Sequence, residues 1–293
     1  MFNTIEEYLE ALKTEMKGSD VALIQDASAD AREHLSMALE AARENHPELS
    51  EPEALKSIVE GYGTPEETAA AYREIEKRTS PSLKQSKKPD SFWARVFGVY
   101  IDPRTWGSLL FVFITFVTGI IYFTWAVTGL SLSISFLILI IGIPFAILFL
   151  LSVQGLTLLE GRLVEALLDV RMPRRPLFAQ PGLKWLERLK ALVTDKRTWL
   201  SLLYMVLQLP LGVLYFSVAT TLISISLAAM AAPFAQLIWK YPIVSTDTGR
   251  IFLPIWALIL MVFGGFLVLT LTMHLLRGIG WLHARYAKAL LVG

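Results

Sequence analysis

The sequence predicts an all-α protein in which a small soluble helical domain precedes a four-helix transmembrane bundle made of two parallel two-span repeats. Three observations carry this expectation. The first is a self-match. Asp102-Pro103-Arg104-Thr105-Trp106 opens one long apolar stretch, and 93 positions later Asp195-Lys196-Arg197-Thr198-Trp199 opens another. Without a gap, Ser108-Leu109-Leu110 then matches Ser201-Leu202-Leu203, Gly119 matches Gly212, Tyr122-Phe123 matches Tyr215-Phe216, and Ser131-Leu132-Ser133 matches Ser224-Ile225-Ser226. Repetition at a fixed offset marks a duplicated unit.

The second observation is apolar length. Residues 106–128, 132–158, 199–222 and 251–276 each supply about 20 or more mostly apolar positions, enough at roughly 1.5 Å per residue to cover a hydrocarbon core of about 30 Å. None holds an Asp, Glu, Lys or Arg. The third is charge. Residues 1–78 carry 18 acids against 8 bases, a net of −10, and residues 79–293 carry 8 acids against 19 bases, a net of +11. These shifts divide the chain into an acidic helical domain (1–78), a basic linker (79–92) and a transmembrane part (93–293), with repeat one at 93–180 and repeat two at 181–293.

In the first domain, Thr4 with Glu7, Ser50 with Glu53 and Thr64 with Glu67 have capping-box spacing. In such a box the hydroxyl accepts from the third helical amide and the carboxylate reaches back. Pro52 and Pro65 fall in first turns, where a missing amide hydrogen costs nothing. Helices are predicted near 5–17, 20–45, 51–60 and 65–78, broken at Gly18, His46-Pro47 and Gly61-Tyr62-Gly63. Ile5, Tyr8, Leu9 and Leu12 form one apolar stripe, and Leu55, Ile58, Val59 and Tyr62 another. So small a core predicts a homodimer or docking on a partner.

Topology follows from the bases. Lys84, Lys87, Lys88, Arg95 and Arg104 precede the first span, and Arg162, Arg171, Arg174, Arg175, Lys184, Arg188, Lys190, Lys196 and Arg197 lie between the second and third. Short loops rich in Lys and Arg stay cytoplasmic. The connection around Gly129 is uncharged, and only Lys240, Asp247 and Arg250 precede the last span, so both are expected outside. Four crossings then leave both termini inside a bacterial cytoplasmic (inner) membrane. Two crossings per copy return the chain to one side, so the copies should run in the same direction, unlike inverted transporter repeats. Residues 223–239 are apolar enough to cross as well. The charge bias favours reading 223–250 as an interfacial or re-entrant excursion anchored by Trp239 and Tyr241.

The repeated motif has a structural explanation. Asp102 and Asp195 can cap their helices, Arg104 and Arg197 stay at headgroup level, and Trp106 and Trp199 sit in the interfacial aromatic belt. The linker bases of 84–95 are expected to lie on anionic headgroups, at roughly 1 kcal/mol each. His274, about one turn from Arg277, reads as interfacial, and His34 as a helix-surface or half-buried residue.

Glu7-Tyr8-Leu9, Ala31-Arg32-Glu33-His34-Leu35, Glu53-Ala54-Leu55 and Gly63-Thr64-Pro65-Glu66-Glu67-Thr68-Ala69 resemble the HAAS signalling domain, a small bacterial helical module often encoded beside PadR-type transcriptional regulators. Residues 91–293, with Tyr122-Phe123, Gly142-Ile143-Pro144 and Arg285-Tyr286-Ala287-Lys288-Ala289-Leu290-Leu291, resemble the bacterial "putative sensor" membrane domain. These resemblances imply a signalling role with a cytosolic partner, a PadR-type regulator or a kinase, and they transfer no catalytic residue. In related proteins a histidine kinase often follows the sensor domain; this sequence ends at Gly293 without one, so autonomous phosphotransfer is not expected.

Enzymatic readings lack their motifs. There is no phosphate loop, no G-x-G-x-x-G, no H-E-x-x-H and no nucleophile elbow. With no cysteine and four scattered histidines, neither a cofactor nor a metal site is expected. The expected function is a non-enzymatic membrane signalling protein that relays an envelope or lipid condition through its N-terminal domain. No direct contact with nucleic acid is expected. A permease or exporter subunit and a structural membrane scaffold are the alternatives.

Overall fold

The computed structural model describes residues 2–79, 91–136, 142–174, 190, 192–246 and 249–292. The basic linker with Lys84, Lys87 and Lys88, and the loop with Arg175, Lys184 and Arg188, lie outside the described residues. The chain folds as two compact units drawn from non-contiguous segments. One contains 1–82, 125–204 and 286–293, the other 83–124 and 205–285.

The first unit begins with a four-helix head, α1 (Ile5–Glu15), α2 (Val21–Asn45), α3 (Glu51–Tyr62) and α4 (Pro65–Thr79). Each start is fixed locally. The Thr4 hydroxyl accepts from the Glu7 amide at 3.2 Å, and Asp20 accepts from the Ala22 amide at 2.9 Å. Ser50 and Thr64 form boxes with Glu53 and Glu67, whose carboxylates accept the Ser50 and Thr64 amides at 3.1 and 2.9 Å. The apolar stripes close on one core, with Tyr8, Leu9, Leu12, Leu23, Leu35 and Leu55 buried. Tyr8 is its polar centre: its hydroxyl donates to the Gly63 carbonyl at 2.9 Å and meets the Thr68 hydroxyl at 3.0 Å. This ties α1 to the α3–α4 turn, where Gly63 takes a positive φ of 111° that favours glycine. His34 is exposed, its ring stacked on Tyr62 at 4.6 Å.

Four helices are long and apolar enough to cross a membrane: α6 (Pro103–Phe136), α7 (Gly142–Leu168), α8 (Lys196–Trp239) and α9 (Ile255–Leu291). α6, α8 and α9 are longer than the matching apolar runs, and α7 is shifted toward the C-terminus relative to its run. Gly129, expected in the connection after the first span, lies inside α6, where an added Cβ would meet the Phe149 ring of α7 at 2.1 Å. It is a packing glycine; α6 is described to Phe136 and α7 from Gly142, and residues 137–141 lie outside the described residues. Residues 223–239, expected as a separate excursion, continue α8 through Pro210 and Pro233. Nothing between Leu222 and Trp239 except Pro233 opposes helix. The resulting 44 residues run about 66 Å at the helical rise. A two-stranded hairpin, β1 (Val244–Thr246) with β2 (Gly249–Ile251), leads to α9.

In the second unit α5 (Phe92–Phe97) and a 3₁₀ turn (Gly98–Tyr100) pack on α9. Phe97 and Tyr100 stack on Phe266, and the Tyr100 hydroxyl meets that of Thr270 at 2.9 Å. The His274 ring nitrogen bonds the Val96 carbonyl at 3.1 Å, and Arg277 pairs with Asp102 at 3.1 Å. α6 and α8 touch backbone to backbone at Gly119 and Gly212, which match in the sequence self-comparison. A Cβ on Gly119 would lie 2.8 Å from the Gln208 carbonyl oxygen, and one on Gly212 would lie 2.6 Å from that of Thr115. Such small residues let apolar helices close together. Phe113 and Phe116 meet Phe216, Thr115 meets Gly212, and Gly119 meets Gln208. The α8 number falls as the α6 number rises, so the helices run in opposite senses where they touch.

Tyr8→Phe should strand the Gly63 carbonyl and Thr68 hydroxyl in the head core. A loss of about 1–2 kcal/mol is expected, measured as a lower urea midpoint of the head's unfolding with an unchanged slope.

Candidate functional site

α7 is apolar for most of its length, and its last turns change character. Val153, Glu160, Gly161, Val164 and Glu165 are buried, positions that share one face at helical spacing, so two carboxylates occupy a stripe otherwise made of small and apolar groups. The helix ends at Leu168, where Asp169 takes a left-handed φ of 57°, a conformation short polar side chains tolerate. The chain turns back there. Met172 is buried beside Gly161, 3.5 Å from where a Cβ would stand, and Arg171 and Arg174 are carried to the foot of α7.

Arg171 is the centre of the site. One terminal nitrogen lies 3.2 Å from Glu165 of α7, the other 2.8 Å from Asp26 of α2, and Nε lies 3.2 Å from Glu76 of α4. Its side chain is 11% exposed, and those of Asp26 and Glu165 are each 9% exposed. Arg174 donates through its side chain to Glu165 at 2.9 Å and through its amide to Asp26 at 2.7 Å. Arg162, half-exposed, reaches Glu165 at 3.3 Å. Three guanidiniums thus face three carboxylates, two of which belong to the head. Beside this network Gln25 donates to the Val292 carbonyl at 2.6 Å, and Lys288 of α9 pairs with Asp20 at 2.5 Å. Above it, the Tyr204 hydroxyl donates to the buried Glu160 carboxylate at 2.8 Å, and Tyr204 stacks on Tyr286.

Buried ions lose hydration that pairing must replace, so such a network contributes geometric selectivity more than net stability, while removal of one member leaves a buried charge exposed to the full penalty. The arrangement holds the head at the foot of α7 through Asp26 and Glu76. Among the described residues no group of three His, Asp or Glu side chains is placed to hold a metal ion.

The residues singled out from sequence lie elsewhere. Asp102 and Asp195 make the same cap, accepting the Arg104 and Arg197 amides at 3.0 Å. Trp106 and Trp199 donate to the carbonyls six positions before them, Tyr100 and Val193, each at 2.8 Å. Both indoles are about half-exposed, and Trp239 and Tyr241 are more so. Arg104 and Arg197 are partly buried. Thr4, Ser50 and Thr64 start head helices. The partners of Arg171 are instead Asp26, Glu76 and Glu165. Sequence reasoning assigned Arg162, Arg171 and Arg174 to topology and passed over Asp26, Glu76 and Glu165. A usable signal was present: Glu160 and Glu165 recur on the apolar face of α7, and Asp26 stands among Ala22, Leu23 and Ala27 on the buried face of α2.

Residues 111–291 match the family model described as "Putative sensor". No curated protein and no solved structure matches the chain.

A double-mutant cycle over Asp26→Ala and Arg171→Ala should give a coupling energy of about 1–3 kcal/mol, read from denaturant unfolding of the full chain in detergent. A value near zero would remove Arg171 as the link to the head.

Proposed function

The chain belongs to the "Putative sensor" family, and from that premise we propose that it is a non-enzymatic bacterial inner-membrane signalling protein whose acidic head reports the state of its membrane helices to a cytosolic partner. The observation that carries this reading is the ion network at the foot of α7. A change in the tilt or spacing of α7 against α9 acts directly on the pairs that hold Asp20, Gln25, Asp26 and Glu76. The bases support a cytoplasmic head, and the contacts of the head with Lys288 and Val292 support a C-terminus on that same side. The interfacial roles of Trp106, Trp199, Trp239, Tyr241, Arg104 and Arg197 belong to this proposal. The partner expected from the head's resemblance to HAAS modules is a PadR-type regulator or a kinase.

One observation favours a second reading. Thr115 and Gln208, at matching positions of the sequence self-match, are both fully buried where α6 meets α8. Polar groups inside a bundle of apolar helices are what a solute path would need. Solute flux in proteoliposomes would favour this permease reading.

The sensor reading is tested by affinity capture on the full chain in native membranes. Recovery of one cytosolic regulator or kinase, in an amount that changes with envelope stress and with Asp26→Ala, is expected. Capture of none under any condition would exclude the relay.

A further inference from the structure

We propose that the arginines at the foot of α7 form a binding site for the phosphate of anionic phospholipid headgroups, and that the carboxylates of the head compete for it. This rests on the sensor reading and names its stimulus.

The argument begins with charge. With the head in place, Arg162, Arg171 and Arg174 face Glu165, Asp26 and Glu76. Departure of the head removes Asp26 and Glu76 together, leaving three guanidiniums beside one carboxylate. A guanidinium is not deprotonated in proteins, so the released site keeps its positive charge and attracts an anion from its surroundings. Position supplies the anion. Residues 162–174 follow directly on the apolar length of α7, at the depth where a bilayer presents its phosphates. Arginine suits phosphate because its planar fork donates two parallel hydrogen bonds.

The site is also open on one side. Arg171 is nearly enclosed, whereas the Arg162 side chain is 52% exposed and that of Arg174 32% exposed. Arg162 makes its contacts with Glu165 and with the Arg174 carbonyl, and none of these belongs to the head. A headgroup therefore has two accessible cations on the rim of the pocket that the head closes. Asp20, paired with Lys288, adds a second place where a lipid phosphate and a head carboxylate seek the same base.

The protein has no cysteine, so Gln25→Cys places a single thiol where the head meets Val292. Full-length Gln25→Cys is reconstituted in nanodiscs of phosphatidylcholine or phosphatidylglycerol, and its labelling rate with a water-soluble maleimide is measured. Labelling should be slow in phosphatidylcholine and at least about fivefold faster in phosphatidylglycerol, the factor expected from one arginine's attraction to an anionic surface. Adding Arg162→Gln and Arg174→Gln spares the Arg171 side chain and the amide of residue 174 on Asp26, and should bring the two rates together. Equal rates without those substitutions would overturn the proposal. Millimolar inorganic phosphate that accelerates labelling in phosphatidylcholine as much as phosphatidylglycerol does would overturn the lipid as the source. Fast labelling in both lipids would overturn the docked head itself. A lipid contrast in a chain that captures no partner would keep the site and exclude the relay.

Discussion

Arg171 is the constraint around which the rest is arranged. Its planar cation is held at three edges by carboxylates that arrive from α7, α2 and α4. A lysine could not serve all three, because an ammonium is a compact point charge without the guanidinium's rigid fork. The left-handed Asp169, the packing of Met172 beside Gly161 and the interruption of the apolar stripe by Glu165 all place this one side chain. A well-packed apolar contact would hold the head at least as firmly. An ionic one adds dependence on position and on competing ions, which is what the proposed relay would require.

The head was largely legible from its sequence because its signals are local. Hydroxyl and carboxylate three positions apart mark helix starts, and α1–α4 begin and end within two residues of where the caps and breakers put them. The long helices were legible as objects, and their ends were not. Gly129 looks like a break until Phe149 is seen to need its missing Cβ, and residues 223–239 look like a separate excursion until α8 is seen to run through them. The ion network left a signal in its buried carboxylates, but its pairing was illegible for a different reason. Its members stand at 26, 76, 162, 165, 171 and 174, and a count of bases along the chain assigns the last group to topology before any carboxylate from the head can be placed beside it.

The repeat shows the same boundary between local and distant information. Each copy of Asp-x-Arg-Thr-Trp makes its own cap and its own indole bond with nearly identical distances, because those contacts lie within six residues. The pairing of copies is set by Gly119 and Gly212, whose approach depends on both helices at once. The matched segments therefore share the contacts at their helix starts, while the mutual packing of the helices is decided by the folded chain.

The docked head is tested most directly by joining it to the end of α9. In a chain carrying Gln25→Cys and Val292→Cys, a short bifunctional maleimide should form an intramolecular cross-link in phosphatidylcholine nanodiscs, and the additional change Arg171→Ala should abolish most of it. A cross-link that survives Arg171→Ala undiminished would show that something other than the ion network holds the head, and would contradict the account.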